Sequence, residues 1–186
     1  MELKRTDVQK IERFLEKIRN ETYPEPPSAL HTHITQKMVG EFLQNHPLSR
    51  GASVLDIGCG QGVALELFQQ RGFRTVGITL NAEDAAICRQ RGYEVHEMDQ
   101  SFLDFPDDAF DFIWCRHCLE HSIFPYYTLS EMHRVLRPQG YLYVEVPAPD
   151  TSCQHQSNKN HYSVLGKSMW EDLIRRTGFE LENSVD

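Results

Sequence analysis

The chain has 186 residues, of which 40% are hydrophobic and 25% are charged, and its formal net charge is −8. This length suits one domain with a sizeable core, and no apolar run approaches the ~20 residues that a membrane-spanning helix needs. The negative charge disfavours a surface that follows phosphate groups, so nucleic acid is not the expected partner.

The cysteines and the first residues bear on the compartment. The N-terminus, MELKRTDVQK, lacks the apolar segment of a secretory signal. Five cysteines make an odd number, which is typical of reduced thiols, although Cys115 and Cys118 have C-x-x-C spacing and leave a redox or zinc role as an alternative. We therefore expect a cytoplasmic protein with no membrane partner, either a monomer or a homodimer.

Two helices are predicted before the first strand. Residues 3–19 form an amphipathic helix that packs on the domain, covers a substrate cleft or makes an oligomer contact; its apolar residues are Val8, Ile11, Leu15 and Ile18. Prolines exclude a helix from 22–28, and a second helix follows at 31–46. Residues 1–50 are thus predicted to be an N-terminal helical extension or cap, and 51–186 the main domain.

Apolar runs alternate with helical patterns over the rest of the chain. Strands are predicted at 54–57, 73–80, 93–98, 110–115, 141–146 and 179–185. Helices are predicted at 63–71, 82–91, 127–136 and 163–177. This alternation predicts an α/β fold with a doubly wound, mostly parallel sheet and helices on both faces. The polar stretch 147–162 is long for a loop in a compact domain, so it is either functional or disordered.

The stretch Ser53–Gly62, SVLDIGCGQG, joins a buried strand to a helix through Gly58, Gly60 and Gly62. Glycine allows positive φ and lets a ligand approach main-chain N–H groups without meeting a Cβ. The spacing differs from the dinucleotide pattern G-x-G-x-x-G, because the third glycine follows the second by two residues. Alone, this stretch predicts a loop that holds a nucleotide-like ligand.

SVLDIGCGQG resembles motif I of the class I S-adenosylmethionine-dependent methyltransferases, hhhD-h-G-C-G-x-G. Four later segments resemble motifs of the small-molecule, methyltransferase type 11-like branch of that family: VGITLN, MDQSF, FDFIWCRHCLEH and HRVLRPQGYLYVEVP. The resemblance covers about half of the chain. It implies a Rossmann-like fold, S-adenosyl-L-methionine as methyl donor and S-adenosyl-L-homocysteine as product.

The resemblance also implies a cofactor site at the carboxyl edge of the sheet. Asp56 would reach the methionine amino group, and Asp99 would accept a hydrogen bond from the adenine. The family's acidic residue after the second strand is missing, which leaves the ribose to Thr79, Leu80 or Asn81. The implied cofactor-binding residues are Asp56, Gly58, Cys59, Gly60, Gly62, Thr79, Leu80, Asn81, Asp99, Gln100, Ser101, Phe102, Cys115, Arg116 and His117.

Histidines are the candidates on the acceptor side. Methyl transfer needs a general base only if the acceptor is protonated at the working pH. His117 and His121 follow the fourth strand and are the catalytic candidates; His121 is the better base, unless it is a structural histidine bonded to a carbonyl. The candidate substrate-binding residues are His33, His121, His155, His161 and Tyr162. Their spacing matches no zinc module, so no metal is expected.

These patterns predict methyl transfer from S-adenosylmethionine to a small-molecule acceptor by direct in-line displacement. One alternative is a methyltransferase that acts on a macromolecule. The other is a non-catalytic S-adenosylmethionine-binding module without a closed acceptor pocket. The strand hairpin that ends such domains is expected to be incomplete, because the sequence stops where the sixth strand should form.

Overall fold

A computed structural model describes residues 4–24 and 26–185 as a parallel sheet covered by helices. The five strands are β1 (Ser53–Ile57), β2 (Arg74–Thr79), β3 (Glu94–Glu97), β4 (Phe110–Arg116) and β5 (Leu136–Glu145). The six α-helices are α1 (Arg5–Asn20), α2 (Ala29–Asn45), α3 (Val63–Gln70), α4 (Ala82–Gln90), α5 (Pro125–Val135) and α6 (Lys167–Arg176). The strand order is β3-β2-β1-β4-β5 with parallel pairing, which confirms the predicted fold class.

The central strand β1 is buried along its whole length because helices cover both faces of the sheet. Alternate side chains therefore enter two different cores. Val54 packs with Phe68 and Trp114 on one face, and Leu55 packs with Leu129 on the other. A strand buried on both sides reads as a continuous apolar run, as the sequence does here.

Helix α2 belongs to the core of the sheet. Val39 is fully buried, and the ring of Phe42 stacks on Phe112 with 4.4 Å between centroids. In contrast, α1 buries only Ile18 among its described residues. The boundary at residue 50 stays a prediction, but the two helices before it differ in how they attach to the sheet.

The predicted sixth strand at 179–185 is wrong. Within the described parts of the chain, no strand follows β5. The tail packs beside helices instead: the ring of Phe179 lies 5.0 Å from that of His133, and the Ser184 hydroxyl donates to Glu171 Oε1 at 2.8 Å.

Helix α6 and strand β5 begin at residues that differ from the predicted ones. Helix α6 begins at Lys167 rather than at 163, because the Ser163 backbone N–H donates to Glu120 O and its hydroxyl to Ser122 O. Strand β5 begins at Leu136 rather than at 141, since Leu136 pairs with Phe110 before a bulge that precedes Tyr141. No helix among the described residues is both long and apolar enough to cross a membrane.

Candidate active site

Two cavities adjoin the carboxyl ends of β1, β2 and β4. Both are partly open to solvent. With that open space included, the larger cleft measures about 810 Å³ and the smaller, between α2 and the glycine loop, about 270 Å³. The residue that lines both is Gly58. Of the predicted site residues, the cleft is lined by Gly58, Gly60, Thr79, Leu80, Asn81, Asp99, Gln100, His117, His121 and Tyr162.

The glycine loop has the strained backbone that its sequence predicts. Gly58, Gly60 and Gly62 have φ of 75°, 48° and 86°, in the left-handed region that favours glycine. The backbone N–H groups of Gly58 and Cys59 both donate to Ile78 O at 3.0 Å, which ties the loop to β2. A Cβ on Gly58 would lie 2.5 Å from Cys118 Sγ, so this position has no room for a side chain.

Asp56 lies at the inner end of the smaller cavity. It is only 3% exposed, and its Oδ2 atom has no hydrogen-bond partner among the residues that the structure describes. Burial, together with the nearby Cys88 thiol, raises the pKa of Asp56 to about 8. A buried carboxylate oxygen without a partner is suited to a positively charged donor such as an ammonium group.

Of four further predicted residues, two line the smaller cavity and two do not. Cys59 and Arg116 line it together with His31 and Thr35. Cys115 is fully buried in the core below. Gly62 lines neither of the two cavities and is the N-cap of α3.

The predicted adenine and ribose residues lie at the other end of the cleft. Asp99 Oδ1 accepts a hydrogen bond of 2.7 Å from the Ser101 backbone, which closes a tight turn after β3. The Asn81 side chain accepts from the backbone of Glu83 and Asp84 and caps α4. Since that carbonyl oxygen is used by the cap, a ribose would meet the rest of the Asn81 side chain or its backbone.

Two residues predicted near the adenine, Ser101 and Phe102, are not among those that line the cleft. Phe102 is 40% exposed, and its ring lies 5.7 Å from that of Tyr127. The Ser101 hydroxyl is buried in a cluster with Ser122 and Thr128, with oxygen–oxygen distances of 2.8 Å to Thr128 and 3.5 Å to Ser122. The Ser122 and Thr128 hydroxyls are 2.7 Å apart. This hydroxyl cluster joins the turn after β3 to the start of α5.

The long loop 147–162 contacts the segment after α1 at one end of the cleft. Asn160 Nδ2 donates to Glu21 O at 3.0 Å, and the Tyr162 hydroxyl donates to Glu21 Oε2 at 3.1 Å. The end of α1 and the loop therefore meet above the cleft, which Ile18 and Tyr23 also line. Sequence reasoning missed Glu21, which carries no motif.

Of the histidines predicted to bind the substrate, three lie together and His33 lies apart from them. His121 Nδ1 lies 2.8 Å from Asn160 O. The ring of His161 meets the rings of His121 and His155, at centroid distances of 4.7 Å and 5.8 Å. His33 is exposed on α2 and lines neither of these cavities.

A charged cluster borders the cleft beside the end of β4. Glu145 accepts from Arg116 Nε and His117 Nε2, each at 2.9 Å, and from the Tyr143 hydroxyl at 2.9 Å. The carboxylates of Glu120 and Glu145, at 3.7 Å and 2.9 Å from the two ring nitrogens, raise the pKa of His117 to about 9, so it is charged at pH 7. Sequence reasoning missed Glu145, although an acid within the apolar run YLYVEVP was a usable signal.

Comparison with known proteins gives one family and several relatives. A family model described as a methyltransferase domain matches residues 26–184. The 27-O-demethylrifamycin SV methyltransferase of Amycolatopsis mediterranei is 26% identical over 173 residues, which is 83% of this chain and 62% of that protein. A ubiquinone biosynthesis O-methyltransferase of Pseudomonas aeruginosa is 30% identical over 102 residues, covering 50% of this chain and 44% of that protein.

A solved structure shows the same fold. Phosphoethanolamine N-methyltransferase 2 of Haemonchus contortus, in complex with S-adenosyl-L-methionine, gives a TM-score of 0.69 at 18% identity and covers 88% of this chain and 40% of that one. The chain thus spans only about half the length of the curated relatives it matches.

Proposed function

Since this chain belongs to the family of methyltransferase domains, we propose that it transfers a methyl group from S-adenosylmethionine to a small-molecule acceptor. The observation that carries the proposal is the pair of cavities that meet at Gly58, on the carboxyl edge of the sheet. Ligands of open α/β sheets bind at this edge, where the strand order reverses between β1 and β4. Asp56 and Asp99 supply carboxylates at the two ends of the site.

The residues present suit the cofactor. The unpartnered Oδ2 of Asp56 is placed for the methionine amino group, and Arg116 in the same cavity is placed for the carboxylate. Asp99, Leu80 and Met98 line the cleft where the adenosine would lie. When bound, S-adenosylmethionine supplies a methyl group on a positively charged sulfur.

The chain itself has to bind the two reactants, orient them and exclude water from the cleft. Ile18, Tyr23 and Tyr162 cover the acceptor end of the cleft. The His121 Nδ1 atom faces a carbonyl oxygen, so it carries the proton and leaves the Nε2 lone pair available. We assign His121 as the proton acceptor for a hydroxyl. His117, charged at neutral pH, positions the end of β4 rather than acting as a base.

The proposed acceptor atom is oxygen. The names of the two curated relatives given above specify O-methylation, and a hydroxyl, which is protonated at neutral pH, is an acceptor for which a base is useful. We also propose a cytoplasmic location, because none of the five cysteines forms a disulfide, as expected in a reducing compartment. A small molecule fits a cleft covered by Tyr23 and Tyr162 better than a macromolecule does.

Cofactor binding is tested with a matched pair of glycine variants. Gly58→Ala and Gly92→Ala both force a side chain into a left-handed backbone, with φ of 75° and 84°. Only at Gly58 would the new Cβ collide with a neighbour, because nothing lies within 4 Å of the Cβ position at Gly92. Calorimetry with S-adenosylmethionine should show binding by the parent and Gly92→Ala, and at least ~tenfold weaker binding by Gly58→Ala.

Binding by neither S-adenosylmethionine nor S-adenosylhomocysteine would refute the cofactor assignment. Transfer is measured separately, with a labelled methyl group and a panel of small phenols, catechols and amines. Labelling of a hydroxyl compound that falls at least ~tenfold in His121→Gln supports the role of His121. Cofactor binding without labelling of any small molecule or protein would favour the non-catalytic module.

A further inference from the structure

Glu120, His121 and His161 come together beside the acceptor end of the cleft. Each offers one ligand atom, and these atoms all lie within 4.8 Å of one another. Glu120 and His121 belong to a short 3-10 helix, Leu119–His121, that follows β4. His161 is about forty residues later in sequence and is brought back by the loop 147–162, so sequence spacing alone does not reveal the set.

Two of the three residues have polar atoms without a protein partner. Glu120 is 1% exposed, and its Oε2 atom has no hydrogen-bond partner within residues 4–24 and 26–185. Its other oxygen lies 3.7 Å from His117 Nδ1. The buried Nδ1 atom of His161 likewise has no partner in the described chain. Leaving a buried carboxylate oxygen unpaired is costly, and a bound cation is one way to satisfy it.

The third residue is oriented as a metal ligand. The contact of His121 Nδ1 with Asn160 O, at 2.8 Å, fixes the ring and leaves Nε2 as the nitrogen that can bind a cation. A backbone carbonyl on the far nitrogen is the usual support of a metal-binding histidine.

We propose that Glu120, His121 and His161 form a binding site for a divalent transition-metal cation of the zinc class. Two imidazoles and one carboxylate are a ligand set that zinc uses, with a fourth position left open. Ligand atoms around zinc lie about 3.3–3.6 Å apart at bond lengths of about 2.0–2.2 Å. The three ligand atoms must therefore move about 1 Å closer to one another when the metal binds.

A cation bound by Glu120, His121 and His161 would give the cleft a second means of binding the methyl acceptor. His121 lines the cleft, so the open position of a bound ion lies near the acceptor end. There an acceptor oxygen could complete the coordination, and a metal-bound hydroxyl ionises more readily than a free one. This role rests on the proposed function, whereas metal binding itself does not. While an ion occupies His121 Nε2, that nitrogen cannot accept a proton.

Zinc binding is measured on the cofactor-free full chain by competition with a chromophoric chelator, and Co²⁺ absorption reports the coordination. Cys153 is the exposed free thiol, so the experiment uses a Cys153→Ser background. We expect one ion per chain, with at least ~tenfold weaker binding in Glu120→Gln and in His161→Gln. His155→Gln is the control, because His155 stacks on His161 outside the triad.

His161→Gln keeps the test decisive if Glu120→Gln fails to fold, since it leaves the contact between Glu120 and His117 in place. Parent-like zinc affinity in His161→Gln, or no zinc binding by the parent, would overturn the proposal. Calorimetry with S-adenosylmethionine on the same proteins separates this outcome from failure of the cofactor site, because no proposed ligand belongs to that site.

Discussion

At the scale of single residues, two acids near strand ends have opposite electrostatic environments. Although burial alone would raise the pKa of Glu145, hydrogen bonds from His117 and Arg116 lower it to about 2. Asp56 has no such donors on Oδ2, and burial raises its pKa to about 8. Glu145 is thus ionised and structural, whereas Asp56 is poised to ionise when a cationic ligand arrives.

The pKa of Asp56 predicts a pH-dependent free energy of unfolding. The folded pKa exceeds the unfolded value, so the contribution of Asp56 is fully present below about pH 4 and is lost as pH rises toward 8. The slope across this window is at most about 1.4 kcal/mol per pH unit. Urea unfolding of Asp56→Asn between pH 5 and 8 should lack this slope.

Other titratable groups lie near Asp56, and both the variant and its control retain them. Cys88 lies close enough to raise its pKa, and Cys59, His31 and Arg116 line the same cavity. All of these remain in Asp56→Asn, as they do in the control Asp104→Asn, which changes an exposed carboxylate. If Asp56→Asn and Asp104→Asn follow the same pH profile as the parent, the assigned pKa of Asp56 is wrong.

At the scale of elements, the cover of the cleft is an assembly of two segments distant in sequence. Glu21, just after α1, accepts hydrogen bonds from Asn160 and Tyr162 of the loop 147–162. Both contacts are exposed, and α1 buries little apolar area, so this cover is among the less stable parts of the molecule. Opening it would admit an acceptor without disturbing the sheet.

Tyr162→Phe should loosen this cover. Loss of the hydroxyl contact with Glu21 removes about 1 kcal/mol, which corresponds to about fivefold faster amide exchange where opening exposes the backbone. Hydrogen–deuterium exchange at residues 18–24 would report the change. Tyr126→Phe is the matched control, because the Tyr126 hydroxyl also bonds across elements, to Arg176 O at 3.3 Å. Equal acceleration at residues 18–24 in both variants would argue against the cover.

At the scale of the whole molecule, the two N-terminal helices should tolerate deletion differently. Removing residues 1–24 takes away α1 but leaves both cores of the sheet intact. Removing residues 1–50 also deletes Val39 and Phe42 and exposes Phe112 and Trp114, at a cost of several kcal/mol. Thermal unfolding by circular dichroism should remain cooperative for the first deletion and be lost for the second. Cooperative unfolding of both would place the domain boundary at residue 50, as the sequence predicts.

The sheet could be predicted from the sequence because the central strands β1 and β4 are mainly apolar runs and all five strands alternate with helical patterns. The cofactor loop could also be predicted, since three glycines after a buried acid form a local signal. The contacts between Glu21 and the loop 147–162 could not be predicted, because Glu21 and Asn160 are polar residues in segments without periodicity. The tail at 179–185 was misread for a related reason: an apolar start suits a strand, but Phe179 instead packs on His133.

The buried hydroxyls of Ser101, Ser122 and Thr128 have a consequence for selectivity. They connect the turn that holds Asp99 to Ser122, which directly follows the cleft residue His121. Because these hydrogen bonds are short and buried, we expect the distance between that turn and His121 to change little when the contacts of Glu21 open. Under the proposed function, we expect the cleft to favour acceptors whose reactive atom reaches the methyl group across this nearly constant distance.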